Sequence, residues 1–319
     1  MTDKWVWNQY WHADRIASCF DDAGARNYDD FVASGWRTFF GELPDGARVL
    51  DLCTGNGAVA ILAAESPRKL KISAVDQASI DPRLYVSRHA EALARIDFIP
   101  EVNVEALPFD AGTFDAVVSQ YGVEYSDLDL SLPEIGRVVA AGGRARLAMH
   151  AAEGSVAATT RRSIPEIDFL LDDLDLVGKA LACFEAVTSL ERDPRASAET
   201  RADAKTKLGL FQDGLRQSGE RIAQAADPDT IRNAGAILID LFNRRGQHEV
   251  GDLMSKAEKV RTELKAHRGR LDQLLAAAVT RAEADKLARR LSEVGARETS
   301  VSDLRTQEYL LGHIIEGSF

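Results

Sequence analysis

Between residues 46 and 150, short apolar runs alternate with longer mixed stretches. RVLDL (48–52), ISAVD (72–76), FDAVVSQ (114–120) and RARLAMH (144–150) are rich in β-branched and aliphatic residues. Apolar runs of this length, separated by helix-length stretches, predict βα units: a mostly parallel sheet covered by helices on both faces. The pattern changes after residue 150, where apolar positions recur at spacings of three and four. Leu170, Leu174, Val177, Leu181 and Phe184 form one stripe. Leu208, Phe211, Leu215 and Ile222 form a second, and Ile231, Ala234, Leu238 and Leu241 a third. Leu253, Ala257, Val260, Leu264, His267, Leu271 and Leu274 form a fourth in strict 4-3 alternation. One-sided stripes of this period are helix faces. Asp193-Pro194, Asp227-Pro228 and Gly246 to Gly251 punctuate them, so three or four helices are expected.

From residue 278 the alternating style returns. Thr280 and Glu283 make a capping box before a helix bearing Leu287, Leu291 and Val294, with Gly295 suited to its end. Strand-like runs follow near 298–304 and 308–316. One helix and two strands do not hold together alone, so they are expected to complete the earlier sheet. The organisation read from the pattern is an aromatic N-terminal helical segment (1–45), an α/β domain (46–150 with 278–319) and a helical insertion (151–277).

The chain has 319 residues, enough for one or two domains. Its net charge of −11 argues against nucleic acid as the main partner. Residues 151–277 hold 19 Lys and Arg against 21 Asp and Glu, a net of −2, so the remainder of the chain carries −9. Cys19, Cys53 and Cys183 offer neither a disulfide framework nor zinc spacing, and no metal is expected. No apolar stretch approaches the roughly 18 residues of a membrane span. The opening MTDKWVWNQYWHADR lacks the basic and apolar regions of a signal peptide. A cytoplasmic protein without a membrane partner is the expectation.

The chemistry concentrates in RVLDLCTGNGAVA (48–60). A strand ends at Asp51, a turn carries Gly55 and Gly57, and a helix begins. Glycines there let a ligand approach the backbone closely, and a helix start offers free N–H groups. A second strand ends at Asp76, where a carboxylate can accept two ribose hydroxyls. VNVEALPFDAGTFDAVVSQYG (102–122) and LPEIGRVVAAGGRARLAMH (132–150) follow in order. Ligands of open α/β sheets bind beyond the carboxyl ends of the strands. Asp51, Asp76, Asn103, Tyr121 and His150 are therefore expected to meet in one crevice.

These four blocks resemble class I S-adenosylmethionine-dependent methyltransferases, of the type found in ubiquinone and menaquinone biosynthesis and in many small-molecule pathways. The likeness covers about 40–150 and, more weakly, 278–319. It implies a Rossmann-like sheet of seven strands and S-adenosylmethionine as methyl donor. By this resemblance Asp51, Cys53, Gly55 and Gly57 surround the donor's methionine part, and Asp76, with Gln77 beside it, holds the ribose. Asn103, Val104 and Glu105 stand at the adenine, and Ser119 and Gln120 near the methionine end. Cys53 replaces the family's first glycine, and the connection after residue 150 is longer than in most relatives.

On the acceptor side, His150, Tyr121 and Glu124 are candidate catalytic residues. Tyr125 and the N-terminal Tyr10, Trp11 and His12 are candidate substrate or lid residues. For each the alternative is an ordinary packing role. The insertion is expected to roof the substrate site or to form a homodimer interface through its 253–274 seam. A small-molecule methyltransferase is the leading expectation. The alternatives are a protein or RNA methyltransferase that docks through the helices, and a non-enzymatic donor-binding scaffold.

Overall fold

A computed structural model describes residues 4–18, 26–28 and 30–319, without the side chain of Asp30. Cys19 and Phe20 lie outside the described residues. In chain order the elements begin with α1 (Lys4–Trp11), α2 (Asp30–Glu42), β1 (Arg48–Leu52), α3 (Ala58–Ala64), β2 (Lys71–Val75), α4 (Pro82–Tyr85) and α5 (Ala90–Leu93). They continue with β3 (Ile96–Ile99), β4 (Phe114–Gln120), α6 (Leu128–Val138), β5 (Val139–His150), α7 (Ser155–Asp168) and α8 (Leu176–Arg192). The last are α9 (Ala198–Ile222), α10 (Asp229–Asn243), α11 (Val250–Ala277), α12 (Arg281–Glu293), β6 (Glu298–Arg305) and β7 (Leu310–Ser318). Two compact units result: residues 1–158 with 272–319, and residues 159–271.

In the first unit the described strands form one seven-stranded sheet of order β3-β2-β1-β4-β5-β7-β6. All pairings are parallel except those of β7, which runs antiparallel to β5 and to β6. Helices cover both faces, which is why the central strands read as unbroken apolar runs. Alternate residues serve opposite cores. Val49, Ala116, Val118 and Ala148 face the aromatic helix α2 and the all-apolar α3. Leu50, Val117, Leu147 and Met149 face α6 and α12. Trp36, Phe39 and Phe40, three and four residues apart on α2, place three buried rings against the first face.

The strand β5 starts earlier than its apolar run suggests. Gly142 adopts a φ of 81° inside the strand, and the pairing with β4 shifts register nearby. The Gly142-Gly143 pair is thus an irregularity within the strand. The capping box at Thr280 forms as expected, with each partner bonding the other's backbone.

The second unit has its own core, in which Phe184, Phe211 and Phe242 cluster. Two expectations are corrected. The 170–184 stripe is not one helix. A π-helical turn spans Phe169–Asp173, and Asp175, at a φ of 44°, breaks the run before capping α8 through Gly178. A further helix, α7, precedes the stripes. Its buried face mixes Ala157 and Ile167 with Thr160, Ser163 and Glu166, so its apolar pattern is weak. Glu166 pairs with Arg221, and Ser163 bonds to Asp227. The seam on α11 is already occupied: Leu253, Ala257, Val260 and Leu264 pack inside this unit's core. It is not a free face for pairing with a second copy. No helix among the described residues is long and apolar enough to cross a membrane.

The capping box makes a direct prediction. Thr280→Ala removes an N-cap bond and lowers stability by about 1 kcal/mol. Denaturant unfolding measures the loss; an unchanged midpoint would show that α12 does not depend on its cap.

Candidate functional site

The site lies where β1, β2 and β4 end. Parallel pairing of β1 with both neighbours brings their carboxyl ends to one edge of the sheet. Asp51 ends the apolar part of β1 and is 2% exposed. Its carboxylate accepts from the Thr54 hydroxyl at 2.6 Å and from the Ala60 backbone. Asp76 follows β2 and accepts from the backbone N–H groups of Gly55 and Ala78, each at 2.8 Å. One Asp76 oxygen therefore holds the glycine loop and the other holds the turn after β2.

Burial raises both acids. Asp51 is pushed up to about 7, mainly by loss of water, with the Thr54 and Ala60 bonds opposing and nearby Asp76 adding to the rise. Asp76 is pushed up to about 6 by the same loss of water, against its two backbone bonds. The half-buried Cys53 thiol is driven well above its usual range by burial and by the carboxylates around it, Asp76 foremost.

A cavity of about 80 Å³ lies beyond these strand ends. Its walls include Cys53, Asp76, Gln77, Asn103, Val104 and Glu105 on one side, and Tyr121, Gly122, Tyr125, Ser126, Trp7 and Trp11 on the other. A smaller one of about 20 Å³ adjoins Asp51, Cys53, Thr54, Gln120, Tyr121 and Tyr28. Small-molecule sites usually measure about 300–1,000 Å³. Trp11 accounts for the difference. Its ring lies over the loop so closely that a Cβ on Gly55 would stand 2.3 Å from it. Phe98 closes over Gly57 in the same way, at 2.9 Å. Another cavity, of about 690 Å³, sits at the opposite ends of the strands among Arg48, Lys71 and Phe114. The strand-end rule gives it no claim on the ligand.

The N-terminal segment is tied to this loop. Asn56 Nδ2 donates to the carbonyls of Trp11, Ala13 and Arg15 at 3.0, 3.3 and 2.7 Å. Trp7 donates to Gln273 at 2.7 Å and meets Tyr125 edge-on at 5.2 Å between ring centres. Tyr10 packs against Trp7 and Trp11. His12 turns outward, with Nε2 2.7 Å from the Ser79 carbonyl oxygen and its ring stacked on Tyr85.

The remaining residues divide by position. Gln77 donates to Asn103 at 2.9 Å, joining two residues of the cavity wall. Ser119 is fully buried, and its hydroxyl donates to the Leu52 carbonyl and accepts from the Val123 N–H. It braces β4 against β1 from inside. His150 is 1% exposed and lies behind the cavity wall, stacked on Tyr121 at 4.1 Å. Its Nδ1 lies 2.8 Å from Glu124 Oε1, which also accepts the His150 backbone N–H. A carboxylate only accepts, so Nδ1 carries the proton of that bond. Sequence reasoning missed Trp7, Gly122 and Ser126 on the wall, and Asn56 as the clamp. The first three carry no local signal; an Asn between two loop glycines was the one available hint.

The sheet order and the glycine loop at the end of β1 are those of a Rossmann-like α/β domain. Residues 49–143 match the family described as a methyltransferase domain. The ubiquinone/menaquinone biosynthesis C-methyltransferase UbiE of Xanthomonas campestris pv. campestris is 35% identical over 139 residues, 39% of this chain and 54% of that protein. The demethylmenaquinone methyltransferase of Thermus thermophilus is 37% identical over 99 residues, 30% of this chain and 44% of that protein. The chain thus spans about half the length of the curated relatives it matches. Among solved structures, the YcgJ protein of Bacillus subtilis aligns at 23% identity over 43% of this chain and 58% of that one, with a TM-score of 0.34.

The raised acids give a testable sign. Asp51 binds its proton more tightly folded than unfolded, so it costs the free protein stability as pH rises from about 4 to 7. Asp51→Asn removes that cost. Its advantage over wild type, on the order of a few kcal/mol, is expected to grow over this window and level off above pH 7. Urea unfolding of both proteins from pH 4 to 8 measures it, and a constant difference would show that Asp51 is not raised.

Proposed function

We propose that the chain is an S-adenosylmethionine-dependent methyltransferase acting on a small-molecule acceptor. The observation that carries the reading is the pair of buried, raised carboxylates, Asp51 and Asp76, at the ends of adjacent strands beside the Gly55–Gly57 loop. Quinone C-methylation is what the named relatives carry out, and it favours a small acceptor over protein or RNA.

The residues suit the donor. Asp76 is free to accept ribose hydroxyls in place of part of its burial cost, and Gln77, Asn103, Val104 and Glu105 offer a wall of adenine size. Asp51 provides negative charge for the cationic end, and Gln120 leaves a buried amide N–H group without a partner among the described residues. When bound, S-adenosylmethionine supplies an electrophilic methyl on a sulfonium and a neutral thioether as leaving group. The chain's own work is then alignment and exclusion of water, which supplies up to roughly 7–11 kcal/mol of barrier lowering. Trp7, Trp11 and Tyr10 make an aromatic cover held to the loop by Asn56, and the donor enters when Trp11 leaves Gly55. Lids of this kind complete a site as they close.

On the acceptor side, Tyr121 and Tyr125 meet the substrate. His150 stands behind Tyr121 and is a positioning residue: Glu124 fixes its ring, and its ring supports that of Tyr121. A base role would require Nε2 to reach past Tyr121.

The test is methyl-labelled S-adenosylmethionine incubated with the protein and a fractionated cell extract, with Asp76→Ala as control. Label in the low-mass fraction, lost in the control, is expected. Label confined to protein or RNA would overturn the small-molecule reading, and none in any fraction would favour a scaffold. In the same assay His150→Gln is expected to lower turnover about tenfold or less with an unchanged pH profile. A loss in the 10²–10⁴ range with a vanished limb near neutrality would make His150 the base.

A further inference from the structure

One buried contact beneath the donor loop selects a polarity. Gln120 ends β4 and borders the small cavity with Asp51, Thr54, Tyr28 and Tyr121. It is 7% exposed. Its Oε1 accepts the indole N–H of Trp36, 84 positions earlier, at 2.8 Å. Its Nε2 is buried and has no hydrogen-bond partner among the described residues.

An amide can present either end, and the two are distinguished by their partners. Here the partner decides. The indole N–H only donates, so the amide oxygen must face it and the NH₂ must face away. Trp36 itself has little freedom. It is 2% exposed, stacks on Phe40 at 5.8 Å, meets Phe39 edge-on at 6.1 Å, and lies under the Arg146 guanidinium at 5.1 Å. The small cavity is therefore lined by a fixed hydrogen-bond donor at Gln120 and by the acidic Asp51. That pairing of an anion-seeking and a cation-seeking group matches the carboxylate and ammonium of an amino acid.

We propose that Trp36 is a positioning residue that locks the Gln120 amide so that its NH₂ receives the carboxylate of the donor's amino-acid end. The inference rests on the methyl-donor reading above. Trp36 never touches the ligand; it prevents the amide from turning its oxygen toward a carboxylate. Without the indole N–H, the amide has two orientations, one of them repulsive, and the donor's tail is held less well.

Calorimetry with two probes separates this from a general loss of structure. S-adenosylhomocysteine carries the amino-acid end, and 5′-methylthioadenosine shares its nucleoside and thioether but lacks that end. Trp36→Phe keeps a ring against Phe39 and Phe40 and deletes the N–H. Its affinity for S-adenosylhomocysteine is expected to fall about tenfold, with that for methylthioadenosine unchanged. Equal weakening of both, or of neither, would overturn the proposal. Gln120→Glu gives a second arm independent of Trp36 packing. Its carboxylate still accepts from Trp36 but turns an acceptor toward the cavity, so the same selective loss is expected, and unchanged selectivity would contradict the proposal. Wild-type protein that binds neither probe would instead refute the donor reading itself.

Discussion

Everything at the site depends on two carboxylates held out of water. Asp51 and Asp76 stand at the ends of neighbouring parallel strands, and their hydrogen bonds come from backbone N–H groups and one hydroxyl. Burial raises both toward neutrality. A fold that aimed only at stability would place neutral groups there. The arrangement makes sense as a cost carried in the free protein and offset by a ligand that brings hydroxyl donors and positive charge. The glycine loop follows from it, because Asp76 holds the Gly55 N–H and so fixes the loop above β1.

The same logic explains the aromatic cover. Open to water, the two carboxylates would be screened and their attraction for a cation would weaken. Trp11 over Gly55, clamped through Asn56, keeps the loop dry in the free protein. The ring that covers the loop also narrows the site. Tyr121 then joins the two sides: it borders both small cavities and stacks on His150, which Glu124 fixes from behind.

Much of this was legible in the sequence, for physical reasons. Strands buried on both faces must be apolar throughout, so β1, β2, β4 and the end of β5 announced themselves. The short β3 did not, because it is an edge strand in which Asp97 faces water between Ile96 and Phe98. The acids and glycines were readable because strand ends and tight turns constrain residue type locally. Helix α7 was hidden because its buried face carries Thr160, Ser163 and Glu166 among its apolar residues; Arg221 of α9 pairs with Glu166, and Asp227, in the bend before α10, bonds to Ser163. The contacts of Trp36 with Gln120 and of Trp11 with Gly55 join residues 84 and 44 positions apart. No local pattern encodes such pairs; they exist only once the sheet has assembled.

The account is tested most directly by the pH dependence of S-adenosylhomocysteine affinity, followed by calorimetry from pH 5.5 to 8.5. Binding that favours ionised Asp51 and Asp76 must tighten as pH rises through about 6 to 7 and then level off, with protons released below that plateau. Affinity that stays constant across this range, or an absence of binding at pH 8, would contradict it.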